Sequence, residues 1–144
     1  MPANDIGRQP PLIPEFKVSS IETSVRFYIN VLGFRVVYDR PEEKFAYLER
    51  EGAEMMLEEA DGVGTSDILT PVEVPLGRGM HLQIEVSDVA TLYLACQEAG
   101  AVHREIYEKW YRAHDLLLGN RQFWVADPDG YLLRFFQDLG TRPA

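Results

Sequence analysis

The sequence predicts an α+β fold built from two tandem βαβββ modules. The segment Val18-Ser19-Ser20-Ile21 recurs 68 residues later as Val86-Ser87-Asp88-Val89. Each copy leads into an apolar helical stripe that ends at a glycine, Gly33 or Gly100. Short runs with strand patterning follow each glycine. A strand–capped helix–glycine unit that repeats at a fixed offset indicates an internal duplication.

The first module is predicted over residues 12–60. It begins with a strand over Ile13–Val18, and Ser20 is positioned to cap the following helix. Apolar residues then recur at helical spacing until Gly33, a residue type that commonly ends helices. Three further strands are predicted, at Phe34–Asp39, Lys44–Arg50 and Ala53–Glu58.

The second module is predicted over residues 80–138, after a glycine- and proline-containing linker over 61–79. A strand over Met80–Val86 precedes a helix capped by Asp88 and ended by Gly100. Further strands are predicted at Ala101–Glu108, Arg121–Ala126 and Tyr131–Phe136, with an irregular stretch through Asp115. Asp127-Pro128-Asp129-Gly130 is typical of a tight turn between the last two strands.

Composition excludes several classes of function. The 144 residues carry a net charge of -9, which argues against nucleic acid or an anionic membrane surface as the main partner. The single cysteine excludes an intrachain disulfide and a cysteine-based zinc site. No stretch approaches the ~20 apolar residues of a membrane helix, and the N-terminus lacks the pattern of a signal peptide. A cytoplasmic protein is expected.

Period-two alternation predicts a polar surface on each module's first strand. Phe16 and Val18, and their counterparts Ile84 and Val86, would pack against the helices. The opposite surface would carry Glu15 and Lys17 in the first module, and His81, Gln83 and Glu85 in the second. Two such sheets that curve toward each other would enclose a cleft.

The chain resembles the vicinal oxygen chelate superfamily, which includes glyoxalase I, extradiol dioxygenases and bleomycin-resistance proteins. The resemblance covers residues 12–138 and rests on two segments, quoted as they stand. The first runs from Val18-Ser19-Ser20-Ile21 through Phe27-Tyr28 to Val31-Leu32-Gly33-Phe34. The second is Arg121-Gln122-Phe123-Trp124-Val125-Ala126-Asp127-Pro128-Asp129-Gly130-Tyr131.

Enzymes of this superfamily hold a divalent metal on the concave sheet face, with one ligand in the first strand and one at the end of each module. By the resemblance, those positions here are Ile13, Met56, His81 and Arg134. Isoleucine cannot bind a metal, methionine prefers soft ions, and arginine places a permanent positive charge where the cation would sit. The resemblance therefore implies the metal-free, bleomycin-resistance branch, with no cofactor and no catalytic residue.

The candidate ligand-binding residues follow from these positions and from aromatic content. His81 is either a ligand contact or an ordinary sheet histidine, and Arg134 holds an acidic group of a ligand or pairs with Glu15 or Glu85. Trp110 and Tyr111 are expected to bind the ligand from an irregular loop, since flat aromatic rings stack on flat or cationic ligands. The full candidate set is His81, Arg134, Trp110, Tyr111, Phe45, Tyr47, Gln83, Glu85 and Met56.

The predicted function is sequestration of an aromatic or cationic small molecule, such as a bleomycin-like compound, in the cleft of a homodimer, which the resemblance implies. The alternative is a metal-dependent glyoxalase- or dioxygenase-like enzyme with a rearranged site that uses His81 with Glu15 or Glu85. Residues 42–67 carry a net charge of -7. This acidic segment would attract a cation if it borders the cleft, and is otherwise a solvated surface.

Overall fold

The computed structural model of the protein describes residues 7–60 and 73–144. The chain divides into two compact units between Leu76 and Gly77. Most of the predicted linker, residues 61–72, lies outside the described residues, so the predicted module boundaries stay a prediction. Each described unit contains a helix and a four-stranded mixed sheet, which confirms the predicted pair of βαβββ modules.

The first unit is formed by β1, α1 and β2–β4. A short 3-10 turn, Pro41–Glu43, joins β2 to β3. The sheet order is β1-β4-β3-β2, with β1 parallel to β4 and the other pairs antiparallel. The bounds are β1 Glu15–Val18, α1 Ile21–Asn30, β2 Arg35–Arg40, β3 Phe45–Arg50 and β4 Ala53–Glu59.

The second unit repeats this topology with longer strands. Its sheet order is β5-β8-β7-β6, again with one parallel pair, β5 with β8. The bounds are β5 His81–Glu85, α2 Val89–Glu98, β6 Val102–Ala113, β7 Leu116–Ala126 and β8 Leu132–Pro143. Among the described residues, neither helix is long and apolar enough to span a bilayer.

Both helices start at the predicted caps. The Ser20 side chain accepts a hydrogen bond from Thr23 N at 3.3 Å. Asp88 Oδ1 accepts one from Thr91 N at 3.1 Å, and the Thr91 hydroxyl donates to Asp88 Oδ2 at 2.6 Å. These acceptors satisfy N–H groups that have no partner within the helix. The duplication therefore includes the capping geometry as well as the residue pattern.

The surface of each sheet that faces its helix is apolar and buried. In the second unit, Phe123 and Phe135 stack with ring centroids 5.9 Å apart, and Tyr93 of α2 meets Phe123 edge-on at 5.1 Å. In the first unit, Tyr28 of α1 packs edge-on against Phe34 at 5.6 Å. Because side chains alternate along a strand, burial of this surface leaves the intervening residues on the opposite one.

The prediction of an irregular stretch after Glu108 was wrong. β6 continues to Ala113, β7 begins at Leu116, and β8 extends to Pro143. The two-residue turn between β6 and β7 is His114-Asp115, with His114 in the left-handed region at φ 57°. Hairpin turns are usually recognised by Asn-Gly or Asp-Gly, and this turn lacks glycine, so its sequence contains no such signal.

Candidate functional site

The surface of the second sheet that faces away from α2 brings polar and aromatic side chains together. We call it the polar face. The register pairs Gln83 with Arg134 across β5 and β8, Arg134 with Trp124 across β8 and β7, and Gln122 with Tyr107 across β7 and β6. Its members are His81, Gln83, Glu85, Tyr107, Tyr111, Leu118, Asn120, Gln122, Trp124, Arg134 and Phe136.

Arg134 lies at the centre of this face. Its Nη2 donates to Gln83 Oε1, and its Nη1 donates to the Tyr111 hydroxyl at 3.4 Å. The guanidinium carbon lies 5.5 Å from the ring centroid of Trp124 and 5.9 Å from that of Tyr111, within the range of cation–π attraction. Its Nε is buried and has no hydrogen-bond partner in residues 7–60 and 73–144.

The predicted ion pair between Arg134 and Glu85 is not formed in the structure. The polar contacts of Arg134 go to an amide and a phenol, and among the described residues no carboxylate neutralises it. Glu15, the other proposed partner, belongs to the first unit. Arg134 therefore presents a positive charge on the polar face.

A buried amide links the two tyrosines of the polar face. Gln122 is fully buried, and its Nε2 lies 2.8 Å from the Tyr107 hydroxyl and 2.5 Å from the Tyr111 hydroxyl. Trp124 Nε1 donates to the Tyr107 hydroxyl at 3.0 Å. The Gln122 Oε1 atom has no hydrogen-bond partner in the described part of the chain. This network fixes the positions of both phenols, and the Tyr111 hydroxyl also contacts the Arg134 guanidinium.

Burial, hydrogen bonds and the Arg134 charge shift the pKa values of His81 and Tyr107 on this face. Burial, followed by the Arg134 charge, lowers the pKa of His81 below its ordinary value of 6.5. Burial would raise the pKa of Tyr107, but hydrogen bonds from Trp124 and Gln122, with the charges of Arg104 and Arg134, lower it overall. Both shifts favour the deprotonated form of the side chain, neutral imidazole for His81 and phenolate for Tyr107.

An open cavity of about 350 Å³ lies on this face beside Arg134. That volume is at the lower end of the ~300–1,000 Å³ usual for small-molecule pockets. The cavity combines charged, amide, hydroxyl and apolar groups. It is lined by Gln83, Tyr111, Leu118, Asn120, Arg134, Phe136, Asp138, Gly140 and Thr141.

Three of the predicted ligand residues, Phe45, Tyr47 and Met56, share one surface of the first sheet. Tyr47 pairs with Met56 across β3 and β4, and Tyr38 stacks on Tyr47 with ring centroids 5.0 Å apart. The Tyr47 hydroxyl donates to Glu54 Oε1 at 3.1 Å. Burial and that carboxylate raise the pKa of Tyr47 to about 12. Phe45 and Tyr47 are almost fully buried.

Trp110 does not join the polar face, contrary to its predicted grouping with Tyr111. The two are consecutive residues of β6, so their side chains project to opposite surfaces. The Trp110 ring packs over Gly119, and the Arg142 guanidinium lies 4.1 Å from its centroid. The prediction placed both residues in a loop, where this alternation would not apply.

The residues present do not fit a resident metal. The four positions implied by the resemblance hold Ile13, Met56, His81 and Arg134, which include one imidazole and no carboxylate. Within the described ranges, no group of three histidine, cysteine, aspartate or glutamate side chains could hold a metal ion.

Comparison with known proteins decides the family. The profile of the Glyoxalase/Bleomycin resistance protein/Dioxygenase superfamily matches residues 15–135. The chain belongs to this superfamily. Bleomycin resistance proteins from Geobacillus stearothermophilus and Staphylococcus aureus are each 30% identical to this superfamily member over 135 residues, covering 88% of this chain and 96% of the relative.

A solved structure supports the fold of this superfamily member. The crystal structure of TioX from Micromonospora sp. ML1 matches with a TM-score of 0.68 and 21% identity, and the match covers 91% of this chain and all of that one.

Six members of the polar face are absent from the candidate set that the sequence of this superfamily member gave: Tyr107, Leu118, Asn120, Gln122, Trp124 and Phe136. Gln122 and Trp124 alternate with the buried Phe123 and Val125, a pattern that could have placed both on the polar face. Tyr107 could not be placed in this way, because the register of β6 shifts between Arg104 and Tyr107. Such a bulge reverses which residues face which side.

Proposed function

We propose that the protein is a metal-free small-molecule binding protein that sequesters an aromatic ligand on the polar face. The bleomycin resistance proteins it is similar to support the general class. No bond is broken in this proposal, so no residue is given a catalytic role. The ligand-contacting residues are those around the cavity of the second unit, with Arg134, Tyr111, Gln83 and His81 foremost.

The observation that carries this proposal is the environment of Arg134. Where a metal-dependent relative would need a carboxylate, a guanidinium lies between the Gln83 amide and the Tyr111 hydroxyl, beside an open cavity of about 350 Å³. Its flanking rings, Tyr111 and Trp124, offer flat surfaces on which an aromatic ligand can stack. Because removal of the Arg134 charge from water costs free energy unless partners compensate it, a ligand that offers such a partner would bind there.

The cationic ligand expected from the acidic segment has weaker support. Glu42, Glu43, Glu58 and Glu59 line a cavity of about 380 Å³ in the first unit, together with two lysines and Ala60. Ion pairs neutralise three of these acids: Lys17 with Glu58 at 2.9 Å, Arg40 with Glu43 at 2.7 Å and Lys44 with Glu59 at 3.7 Å. An already paired carboxylate attracts a ligand cation less strongly.

The proposal includes a homodimer. The superfamily resemblance implies this assembly, and the exposed Leu116 side chain on β7 is apolar surface that such an interface would bury. Sedimentation velocity over a range of protein concentrations tests it, and a species of monomer mass at the highest concentration would contradict it.

Intrinsic tryptophan fluorescence tests binding, because the two tryptophans lie on opposite surfaces of the second sheet. Trp110→Phe leaves Trp124 on the polar face as the reporter, and Trp124→Phe leaves only Trp110. Titration with bleomycin and a panel of aromatic compounds is expected to give a saturable change in the Trp110→Phe variant and little change in the Trp124→Phe variant.

Elemental analysis of the purified protein completes the test. Substoichiometric zinc, nickel, manganese and iron are expected, together with ligand binding that is unaffected by a chelator. Stoichiometric bound metal, or no response of the Trp124 reporter to any compound in the panel, would overturn the proposed function.

A further inference from the structure

We infer that the ligand group bound by the polar face is an anion carried on an aromatic frame, which makes the ligand class an aromatic carboxylate. The inference rests on the proposed function, since it specifies the ligand of the same site. Three independent features of the second unit support it: the balance of charge, the balance of hydrogen-bond donors and the composition of the cavity.

Positive charge is in excess around the two tyrosines. The Arg104 guanidinium carbon lies 4.0 Å from the Tyr107 ring centroid, and Lys109 Nζ lies 5.0 Å from that of Tyr111. A third cation, Arg134, contacts the Tyr111 hydroxyl. A ligand anion would meet three cations here, and a ligand cation would be repelled by them.

Two carboxylates, Glu85 and Asp138, also belong to this surface, but neither forms an ion pair with Arg134 in the described part of the chain. Asp138 lines the cavity, and its Oδ1 accepts a hydrogen bond from Gly140 N at 2.8 Å. Glu85 is an exposed residue at the end of β5, where its charge is well solvated. The net balance of the face remains positive.

Hydrogen-bond donors are also in excess. Four contacts join the Gln122 amide, the two tyrosine hydroxyls, the Trp124 indole and the Arg134 guanidinium, and each contact uses one hydrogen. Counting only the guanidinium hydrogen that reaches Tyr111, the groups in these contacts supply six hydrogens: two from the amide, two from the hydroxyls, one from the indole and one from the guanidinium. With the amide as described, the two hydroxyl hydrogens are unused and Gln122 Oε1 is the one acceptor of the network without a partner among the described residues. With the amide reversed, its two N–H hydrogens are unused, so unused hydrogens exceed unpartnered acceptors in both orientations.

A surplus of donors is complementary to a ligand that only accepts. A carboxylate accepts at two oxygens and can bind a guanidinium through parallel hydrogen bonds. An ammonium group has only donors, so it would add to the surplus. Arg134 Nε has no partner among the described residues, but it is buried, so the ligand would meet the Nη groups of the guanidinium.

The cavity beside Arg134 supplies apolar contacts for the rest of the ligand. Leu118 and Phe136 line it together with the Tyr111 ring, and Trp124 flanks the guanidinium. Burial of flat apolar surface against such side chains favours an aromatic frame. A carboxylate attached to that frame would reach Arg134 while the ring contacts Leu118 and Phe136.

A matched probe series separates charge from shape. 2-Naphthoate, 2-naphthamide and 2-naphthylmethylammonium share one ring system and carry an anionic, a neutral and a cationic group. Isothermal titration calorimetry on the wild-type protein is expected to give naphthoate at least about tenfold tighter binding than naphthamide, with the ammonium probe weakest. In Arg134→Gln the preference for naphthoate over naphthamide is expected to fall to within about twofold.

Two further variants control for net charge and for folding. Arg121→Gln removes an exposed charge from the opposite surface of β7, and it should keep the naphthoate preference. Tyr111→Phe keeps the ring and removes one hydroxyl, and it should weaken naphthoate binding more than naphthamide binding. It replaces Arg134→Gln as the test if circular dichroism shows that the latter is unfolded.

The outcomes separate this inference from the proposed function. Equal affinities for the three probes, tightest binding of the ammonium probe, or absence of naphthoate binding at millimolar concentration would each overturn the anion inference. The proposed function would survive all three results if another compound changed the Trp124 fluorescence. It fails independently, through bound stoichiometric metal or a silent Trp124 reporter across the whole panel.

Discussion

Replacing Gly119 with alanine would place a methyl group too close to the indole ring of Trp110. A Cβ on Gly119 would lie 2.6 Å from both Cη2 and Cζ3 of Trp110, whereas carbon atoms in contact normally stay ~3.5–4.0 Å apart. The ring would have to retreat by about 1 Å, away from its position beside the Arg142 guanidinium. The φ angle of Gly119 is not in the left-handed region, so backbone strain adds nothing to this clash.

Overpacking of this kind typically costs about 1–3 kcal/mol of unfolding free energy. With a urea m-value of about 2 kcal/mol per M, the unfolding midpoint of Gly119→Ala should fall by about 0.5–1.5 M. Urea titration followed by circular dichroism measures this shift. Tryptophan fluorescence of the native state should also change, since Trp110 must move.

A double-mutant cycle identifies the cause of the loss. In a Trp110→Ala background the added methyl group meets open space, so Gly119→Ala should change the unfolding free energy by less than about 0.5 kcal/mol. An equal loss in both backgrounds would refute the steric explanation. An unchanged midpoint of the single variant would refute the pairing of Trp110 with Gly119 itself.

Two further predictions concern a titrating group and a helix cap. Burial, followed by the Arg134 charge, holds the folded-state pKa of His81 below its ordinary value of 6.5, so stability is complete above pH 6.5 and is lost as the pH falls from 6.5 through the lower folded-state pKa. Imidazole NMR titration should give a pKa below 6.5 that rises in Arg134→Gln, and a wild-type value at or above 6.5 would contradict the Arg134 effect. Asp88→Ala should cost about 1 kcal/mol because Thr91 N loses its acceptor, whereas Asp88→Asn should retain most of the stability in thermal unfolding. Equal losses in both Asp88 variants would show that the capping oxygen is not responsible.

The parts of the fold that sequence reasoning predicted are those with local signals. Ser20 and Asp88 were recognised as caps because a cap accepts from an N–H three residues along the chain. The Asp127–Gly130 turn was recognised from its residue types, and Asp127 Oδ1 accepts from the N–H groups of both Asp129 and Tyr131 at 2.9 Å.

The placement of some candidate residues was also predictable. Alternation and the superfamily resemblance put His81, Gln83 and Arg134 on one face, and the strand register agrees, while their role in binding a ligand stays a prediction. Their actual partners were not found, since Gln83 and Arg134 are 51 residues apart in the chain. The ion pair expected between Arg134 and Glu85 does not form, although β5 and β8 are neighbours, because the register places Gln83 opposite Arg134 and Glu85 opposite Phe136.

The sequence by itself determined two capped βαβββ units, a buried surface on each sheet and the absence of a suitable metal-ligand set at the expected positions. Only the tertiary structure decided which residues form the site. The bulge before Tyr107 turns that residue toward Gln122, and the continued ladder after Glu108 turns Trp110 away from Tyr111. Alternation can be read from the chain, but register depends on pairing between distant strands, and a shift of one residue exchanges the two faces.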